Sequence, residues 1–302
     1  MIIIINSALQ ERHRQLIPRI KKAFSTSRVR IELTRSTEHA RYIVNRSISR
    51  KESKIVVAGG DGTLNSVINL IFQSNCTLGI IPIGTANDLA SYYEIPAEIE
   101  TACKIIQEGY SERIDLIEVN GWYYATAGGI GLPADIAHFA NEFKRKALLG
   151  RLSFRIIGSK VYLLFLAYLF LTNRLNYYRA EIKTNGRLID SNLFFFLANN
   201  QPFLGKHFLA TPGADNQDGL INICLSENPD FRLQQLRILL GALRGNHIYS
   251  PWVQTWVTNM LEIKTTEAQY FMGDGELSAK SKNFKICIHP KALNLIIPKN
   301  IS

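Results

Sequence analysis

Residues 59–65, Gly59-Gly60-Asp61-Gly62-Thr63-Leu64-Asn65, combine types that could hold a phosphate. Three glycines in four positions tolerate positive φ and leave no side chain between backbone and ligand. Ahead of them, Lys54-Ile55-Val56-Val57 reads as a buried parallel strand. Behind them, Leu64, Val67, Ile68 and Ile71 recur at helical spacing. A helix start placed after such a turn offers free N–H groups to an anion, with the Thr63 hydroxyl beside them. Asp61 is awkward in a bare phosphate cradle, because it repels phosphate unless a metal ion or a donor lies between. The segment lacks the Gly-Lys-Ser/Thr ending of a Walker loop, and its glycines do not follow dinucleotide spacing. Nucleotide-phosphate binding is the chemistry this implies; a tight strand-to-helix turn is the plainer alternative.

Three further stretches offer polar chemistry. Pro82-Ile83-Gly84-Thr85-Ala86-Asn87-Asp88-Leu89-Ala90 repeats the arrangement of strand, Gly-Thr turn and helix. Thr85 or Asn87 could simply cap that helix, and Asp88 could simply place charge at its start. Asp215-Asn216-Gln217-Asp218-Gly219-Leu220 has the short oxygen-rich spacing of a hard-cation loop, or of a polar turn. Gly273-Asp274-Gly275-Glu276 reads on its own as an ordinary hairpin with an exposed carboxylate.

The elements that must position these residues fall into two patterns. Strands at Ile2–Ile5, 29–33, 55–58 and 78–81 alternate with helices at 9–24, 37–49 and after the glycine turn. This βαβα order predicts a parallel sheet with ligands at the carboxyl ends of its strands: Asn6, Thr34, the 59–65 loop and Pro82 onward. From Tyr110 short strands dominate, at 113–119, 122–130, 177–183, 192–198, 220–225, 260–266, 268–272, 284–289 and 293–297, with Asn185-Gly186 as a hairpin turn. Helices are expected at about 133–173 and 231–246. The fold class is therefore α/β plus β, a parallel-sheet nucleotide-binding domain over 1–118 followed by a mainly antiparallel β domain over 119–302. The closing strands could return beside the first domain.

Composition bounds the reading. The chain has 302 residues, 46% hydrophobic and 20% charged, enough for a substantial core. A net charge of +10 favours an acidic partner such as nucleic acid, anionic lipid or a phosphate-bearing substrate, or serves solubility alone. Cys76, Cys103, Cys224 and Cys287 stand far apart without a Cys-x-x-Cys pair, which suggests neither disulfides nor a zinc pattern and points to a reducing cytoplasm. Met1–Ile5 is too short for a signal peptide. The uncharged run Val161–Thr172 has twelve residues, short of the roughly twenty needed to span a bilayer. It reads as a buried or interfacial helix.

Taken in order, the motifs resemble the diacylglycerol kinase catalytic-domain family, and more narrowly the bacterial lipid kinases that share this domain with sphingosine kinases. Beyond the two glycine turns, Arg113-Ile114-Asp115-Leu116, Gly128-Gly129-Ile130-Gly131, Thr211 to Leu220, Gly273 to Glu276 and Pro290-Lys291-Ala292-Leu293 all match. Two departures stand out. The family's Asn-Pro-x-x-Gly loop is here Asn6-Ser7-Ala8-Leu9-Gln10, and an asparagine common ahead of the second glycine segment is missing, with Thr126 nearby.

The resemblance implies γ-phosphoryl transfer from ATP to a lipid hydroxyl with Mg²⁺, in a nucleotide-binding α/β domain followed by a β-sandwich, with the site between them. It implies that Thr34, Gly59, Gly60, Asp61, Gly62, Thr63, Leu64, Asn65 and Thr85 bind the nucleotide. Asp61 and Asp88 are candidates for holding a hydrated Mg²⁺. Glu276 would accept the proton of the lipid hydroxyl, with Asp115 assisting. Asp215, Asp218 and Leu220 match a second, structural Mg²⁺ site, Asp215 and Leu220 through backbone carbonyls.

A lipid acceptor, diacylglycerol-like, and a chain without an anchor imply a cytoplasmic enzyme peripheral to the membrane. Lys144, Arg145, Lys146, Arg151 and Arg155, beside the apolar helix, are candidates for contact with anionic lipid, or a solvated charged face. A homodimer stays open as an assembly. The competing readings are an NAD kinase-like enzyme with a soluble substrate, which shares the Gly-Gly-Asp-Gly-Thr turn, and a non-catalytic lipid-binding regulator that keeps the fold. Nucleic-acid binding has only the net charge behind it and ranks last.

Overall fold

The computed structural model of the protein describes residues 1–6, 10–25, 28–146, 160–172 and 175–299. The chain divides into two compact units, residues 1–114 with 291–302, and residues 115–290.

The first unit comprises β1 (Ile2–Asn6), α1 (Gln10–Ala23), β2 (Arg30–Thr34), α2 (Thr37–Ser49), β3 (Lys54–Gly59), α3 (Asp61–Ile71), β4 (Thr77–Pro82), the short α4 (Asp88–Tyr92) and α5 (Ile99–Glu108). Strand pairs β1–β2, β1–β3 and β3–β4 are parallel, and Asn294 and Leu295 near the chain end add parallel to Thr77 and Leu78. Helices cover both faces of such a sheet, so its inner strands carry unbroken apolar runs rather than alternation. Ile2, Ile3, Ile4 and Ile5 are all 0% exposed. Burying each contributes about 1.5–3 kcal/mol before chain entropy is subtracted. The strand order β2-β1-β3-β4 reverses its winding direction between β1 and β3. Their carboxyl ends, Asn6 and Gly59, thus flank the switch point where open α/β sheets take their ligands.

The second unit is built on antiparallel strands. It takes over within β5 (Ser111–Val119) and continues through β6 (Trp122–Tyr124), β7 (Ala127–Gly131), α6 (Leu132–Lys146), α7 (Lys160–Leu171), β8 (Tyr178–Thr184) and β9 (Arg187–Asn199). There follow the two-residue strands β10 (Phe203–Leu204) and β11 (Phe208–Leu209), β12 (Ile221–Glu227), α8 (Arg232–Ala242), a 3₁₀ turn at Asn246–Tyr249, β13 (Val253–Thr258) and β14 (Met260–Gln269). The chain closes with β15 (Met272–Gly273), β16 (Glu276–Leu277) and β17 (Ser281–Ile296). Asn185 and Gly186 turn the β8–β9 hairpin with φ of 48° and 73°, the paired positive values of a type I′ turn. Tyr124, Phe196, Phe271 and Phe284 fill the core with Ile117, Ile182, Ile223 and Leu261.

Several elements differ from the sequence-based expectation, among them the strand expected at 268–272, whose first two residues close β14 and whose last opens β15. The single strand expected at 122–130 is two, because the backbone N–H groups of Ala125 and Thr126 turn aside to the Asp274 carboxylate. The segments 284–289 and 293–297 belong to one long strand, β17, which accommodates a positive φ of 52° at Lys291. Finally, β13 is an additional strand, and it pairs antiparallel with β12.

Candidate active site

In the first unit two glycine turns are built against each other. A Cβ on Gly84 would lie 2.4 Å from the Gly60 Cα, and one on Gly60 would lie 3.0 Å from the Gly84 Cα. Only glycine at both positions permits this backbone contact. Asn87 encloses Gly84, accepting its N–H at 3.0 Å through Oδ1 and donating Nδ2 to its carbonyl at 3.0 Å. Asn87 does so in the left-handed conformation, φ 53° and ψ 51°, which asparagine tolerates better than most residues.

Asp61 locks the pair of turns. Its Oδ2 accepts the Asn87 N–H and its Oδ1 the Asp88 N–H, both at 2.8 Å. The aspartate that looks awkward in a phosphate cradle is thus a clamp between two loops. Gly60 begins α3 without a capping side chain, and Leu64 N–H makes the first helical bond, to the Gly60 carbonyl. The N–H groups ahead of Leu64 lie in the first turn of a helix, where no helical acceptor precedes them. Asn6 Nδ2 donates to Thr63 Oγ1 at 2.9 Å, so the end of β1 is tied to the start of α3 across the switch point. Ser7, which stands in place of the proline of the family's first loop, lies outside the described residues with Ala8 and Leu9, and Gln10, in place of its glycine, opens α1.

The other expected nucleotide residues are distributed less uniformly. Gly59, Leu64 and Asn65 are buried under the turn, while Gly62 and Thr63 are half-buried and Thr85 is exposed. Thr34 is 5% exposed and donates its hydroxyl to the Ile5 carbonyl at 3.3 Å, an edge-strand contact.

The second unit holds the remaining candidates. Asp115 on β5 is fully buried and accepts the Gly219 N–H at 2.7 Å through Oδ2. Its backbone N–H donates to the Asn216 carbonyl at 2.8 Å, so Asp115 is fastened to the 215–220 loop twice. Within that loop Asp215 Oδ1 accepts the Gln217 N–H, at 3.0 Å, and Asp218 Oδ1 the Leu220 N–H, at 2.8 Å. Burial, then the charges of Asp215 and Asp115, push the Asp218 carboxyl above the usual aspartate range. A divalent cation would relieve this crowding of negative charge.

Glu276 opens β16 and is exposed. The hairpin that carries it turns at Asp274 and Gly275, with φ of 50° and 78°. Asp274 is anchored from below: it accepts the N–H of Ala125 at 3.0 Å, that of Thr126 at 2.8 Å and the Thr126 hydroxyl at 2.7 Å. Thr126, near the place where the family asparagine is missing, therefore serves the Glu276 hairpin. Asn200, fully buried, donates Nδ2 to both the Asp115 carbonyl at 2.8 Å and the Ala125 carbonyl at 3.0 Å. A continuous set of hydrogen bonds thereby runs from Asp115 through Asn200 and Ala125 to Asp274.

Asn200 and Asp274 are positioning residues that sequence reasoning did not single out, and Asn87, considered there as a helix cap, sits at the N-cap without a side-chain capping bond and encloses Gly84 instead. Asn87 and Asp274 lie inside the quoted motifs, and an αL-tolerant residue next to a glycine turn was the available signal. Asn200 offered only a polar pair, Asn199-Asn200, at the end of an apolar strand.

The first unit thus holds paired glycine turns at the switch point of a parallel sheet, and the second an acidic hairpin among antiparallel strands. A family model described as the diacylglycerol kinase catalytic domain matches residues 1–119. A second, described as the YegS C-terminal NAD kinase β-sandwich-like domain, matches residues 131–297. The chain belongs to this family, and it is a lipid kinase. The diacylglycerol kinase of Bacillus subtilis (strain 168) is 26% identical over 253 residues, covering 83% of this chain and 79% of the relative. A protein of Pectobacterium atrosepticum named "Probable lipid kinase YegS-like" is 27% identical over 310 residues, covering 100% and 97%. The fold is shared with a crystal structure of a diacylglycerol kinase from Bacillus anthracis str. Sterne, at a TM-score of 0.75 and 20% identity, covering 99% of this chain and 96% of that one.

Proposed function

We propose that this lipid kinase transfers the γ-phosphoryl group of ATP to the hydroxyl of a diacylglycerol-like lipid alcohol. The observation that carries the reading is the pinned Glu276 hairpin: a carboxylate is presented to solvent on a turn that Asp274 fixes with three donors. In this mechanism the N–H groups of Asp61, Gly62 and Thr63 hold the phosphates of ATP, and the Asp61 clamp keeps Thr85 within the same loop pair. The lipid oxygen forms its bond to the γ-phosphorus as the bond from that phosphorus to the β-bridging oxygen breaks, and ADP leaves. Glu276 takes the proton of the hydroxyl. Asp115 assists the same transfer, its carboxylate held by the Gly219 N–H.

Mg²⁺ fits the donor set, since Asp215, Asp218 and the Leu220 carbonyl are hard oxygen ligands. These residues would hold one ion, and its charge would neutralise the acidic loop beside Asp115. A hydrated Mg²⁺ accompanying ATP would offset the repulsion between phosphate and the carboxylates of Asp61 and Asp88.

Among the described residues no helix is long and apolar enough to cross a membrane. The second unit exposes Leu164, Tyr168 and Leu171 on α7, and Phe231, Leu233, Leu240 and Leu243 on and around α8. Arg232 joins the two helices by a hydrogen bond to the Phe170 carbonyl. This apolar surface supports peripheral membrane contact. Of the basic candidates, Arg151 and Arg155 lie outside the described residues, as do the side chains of Lys144, Arg145 and Lys146.

The deciding experiment offers radiolabelled ATP to purified protein with a panel of lipid alcohols beside NAD, followed by phase partition. Label in an organic-phase phospholipid is the expected result. Label confined to phosphorylated NAD in the aqueous phase overturns the lipid acceptor.

A further inference from the structure

A second constellation of ligand-type side chains lies in the second unit, apart from the residues assigned above. Along β5, Ile117 and Val119 face the core; along β17, Ile286 does so, with Ile288 packed against it. Strand alternation sends Glu118, Cys287 and His289 to the opposite face. There Glu118 Oε2 is 2.6 Å from His289 Nε2 and 3.7 Å from Cys287 Sγ, and Cys287 Sγ is 3.6 Å from His289 Nε2. Among the described residues this is the one group of three acid, thiol or imidazole ligands whose atoms all lie within 4.8 Å of one another.

We propose that Glu118, Cys287 and His289 form a binding site for a borderline-soft divalent cation of the Zn²⁺ class. The three atoms converge on one point. A tetrahedral ion with bonds of about 2.0–2.3 Å separates its ligands by roughly 3.3–3.6 Å. The sulfur's contact with Nε2, 3.6 Å, lies in that range, and its contact with Oε2, 3.7 Å, just beyond it. The shared proton that draws Glu118 and His289 to 2.6 Å is what the ion would replace, with the pair opening by about 0.7 Å. A Cys–His–acid relay is the alternative, and the geometry rejects it. In a relay the thiol and the carboxylate use different ring nitrogens, whereas here both face Nε2. Burial, with Glu118 next, also pushes the Cys287 thiol up in pKa, opposite to an activated nucleophile.

The site has an outer layer and an opening. Glu118 Oε1 accepts the Gly121 N–H at 3.1 Å, leaving Oε2 as the single inward oxygen. Tyr123 pairs with Glu118 across β5–β6, and its hydroxyl donates to that same Oε2 at 3.2 Å. Such supporting contacts orient a metal-bound carboxylate. The side chain of His289 is 38% exposed and that of Glu118 23%, so water can supply a fourth ligand. Glu118 and His289 are 171 residues apart in sequence, and an ion joining them would staple β5 to β17. No short sequence pattern reveals this site, because the acid and the Cys-x-His pair come from opposite ends of the unit.

The test titrates the reduced, full-length protein with Co²⁺ and Zn²⁺. One Co²⁺ per chain, with thiolate charge-transfer absorption, tetrahedral d–d bands and displacement by Zn²⁺, is expected. Cys287→Ser removes the charge-transfer band, and Tyr123→Phe weakens binding about 10- to 100-fold. Cys76, Cys103 and Cys224 are buried, so alkylation of the native protein reports on Cys287, and Zn²⁺ should suppress it. Thermal unfolding of the wild-type protein should move upward with Zn²⁺. Absence of the thiolate band in the wild-type protein, or alkylation of Cys287 indifferent to Zn²⁺, overturns the assignment irrespective of how any variant folds.

Discussion

Replacing Asp274 by asparagine tests whether the hairpin beneath Glu276 positions a catalytic base. Asp274 Oδ1 accepts from Thr126 N–H, from Thr126 Oγ1 and, at 3.2 Å, from Ala125 N–H, and Oδ2 accepts from the same Ala125 N–H at 3.0 Å. An asparagine can keep the Oδ1 contacts and the left-handed backbone. Its amide group, however, would point a donor at the Ala125 N–H, and the charge assistance of the other bonds would be lost. The Ala125 N–H would keep only its longer 3.2 Å bond to Oδ1 while facing an amide donor, and this with the weakened charged bonds costs about 2–3 kcal/mol. The unit spans residues 115–290, and for a domain of that size each kcal/mol corresponds to about 2–4 °C in Tm. Thermal unfolding should therefore fall by about 4–12 °C. Displacement of a reacting group by about 1 Å costs on the order of a hundredfold in rate. We expect kcat for lipid phosphorylation to fall about 10- to 100-fold, with KM for ATP unchanged, because the proposed nucleotide residues belong to the other unit. Wild-type kcat in a protein with the lowered Tm would refute the positioning role.

Other substitutions separate the parts. Gly84→Ala places a methyl 2.4 Å from the Gly60 Cα and 2.5 Å from Asn87 Oδ1 and should raise KM for ATP about tenfold or more, read by initial rates. Glu276→Gln should reduce kcat about a hundred- to ten-thousandfold while equilibrium nucleotide binding persists; unchanged turnover would remove it as base. Asp218 titrates above the unfolded aspartate range, so its stabilising contribution is complete below the unfolded pKa and is lost as pH rises through the folded one. Asp218→Asn should accordingly raise Tm at neutral pH in chelator and abolish any further gain from Mg²⁺, as scanning calorimetry at several pH values would show. Leu171→Asp combined with Leu240→Asp should weaken sedimentation with anionic vesicles and leave Tm unchanged, both side chains being exposed.

Local patterning carried the architecture a long way. Apolar runs without alternation marked Ile2–Ile5 and Ile55–Ala58 as inner parallel strands, since a sheet covered on both faces asks for nothing polar. Glycine density at 59–62 and 84 marked the two turns, and the order of motifs along the chain identified the family. These signals are local, because periodicity and backbone freedom are properties of neighbouring residues. Partners distant in sequence were a different matter. That Asp61 clamps Asn87 and Asp88, that Thr126 and Asn200 link the Glu276 hairpin to Asp115, and that Glu118 meets Cys287 and His289 follow only from which strands pair. A carboxylate looks the same in sequence whether it faces phosphate, a backbone N–H or an imidazole. Tertiary packing decided which, because burying a charge demands a donor or a cation beside it, and only the fold brings one there.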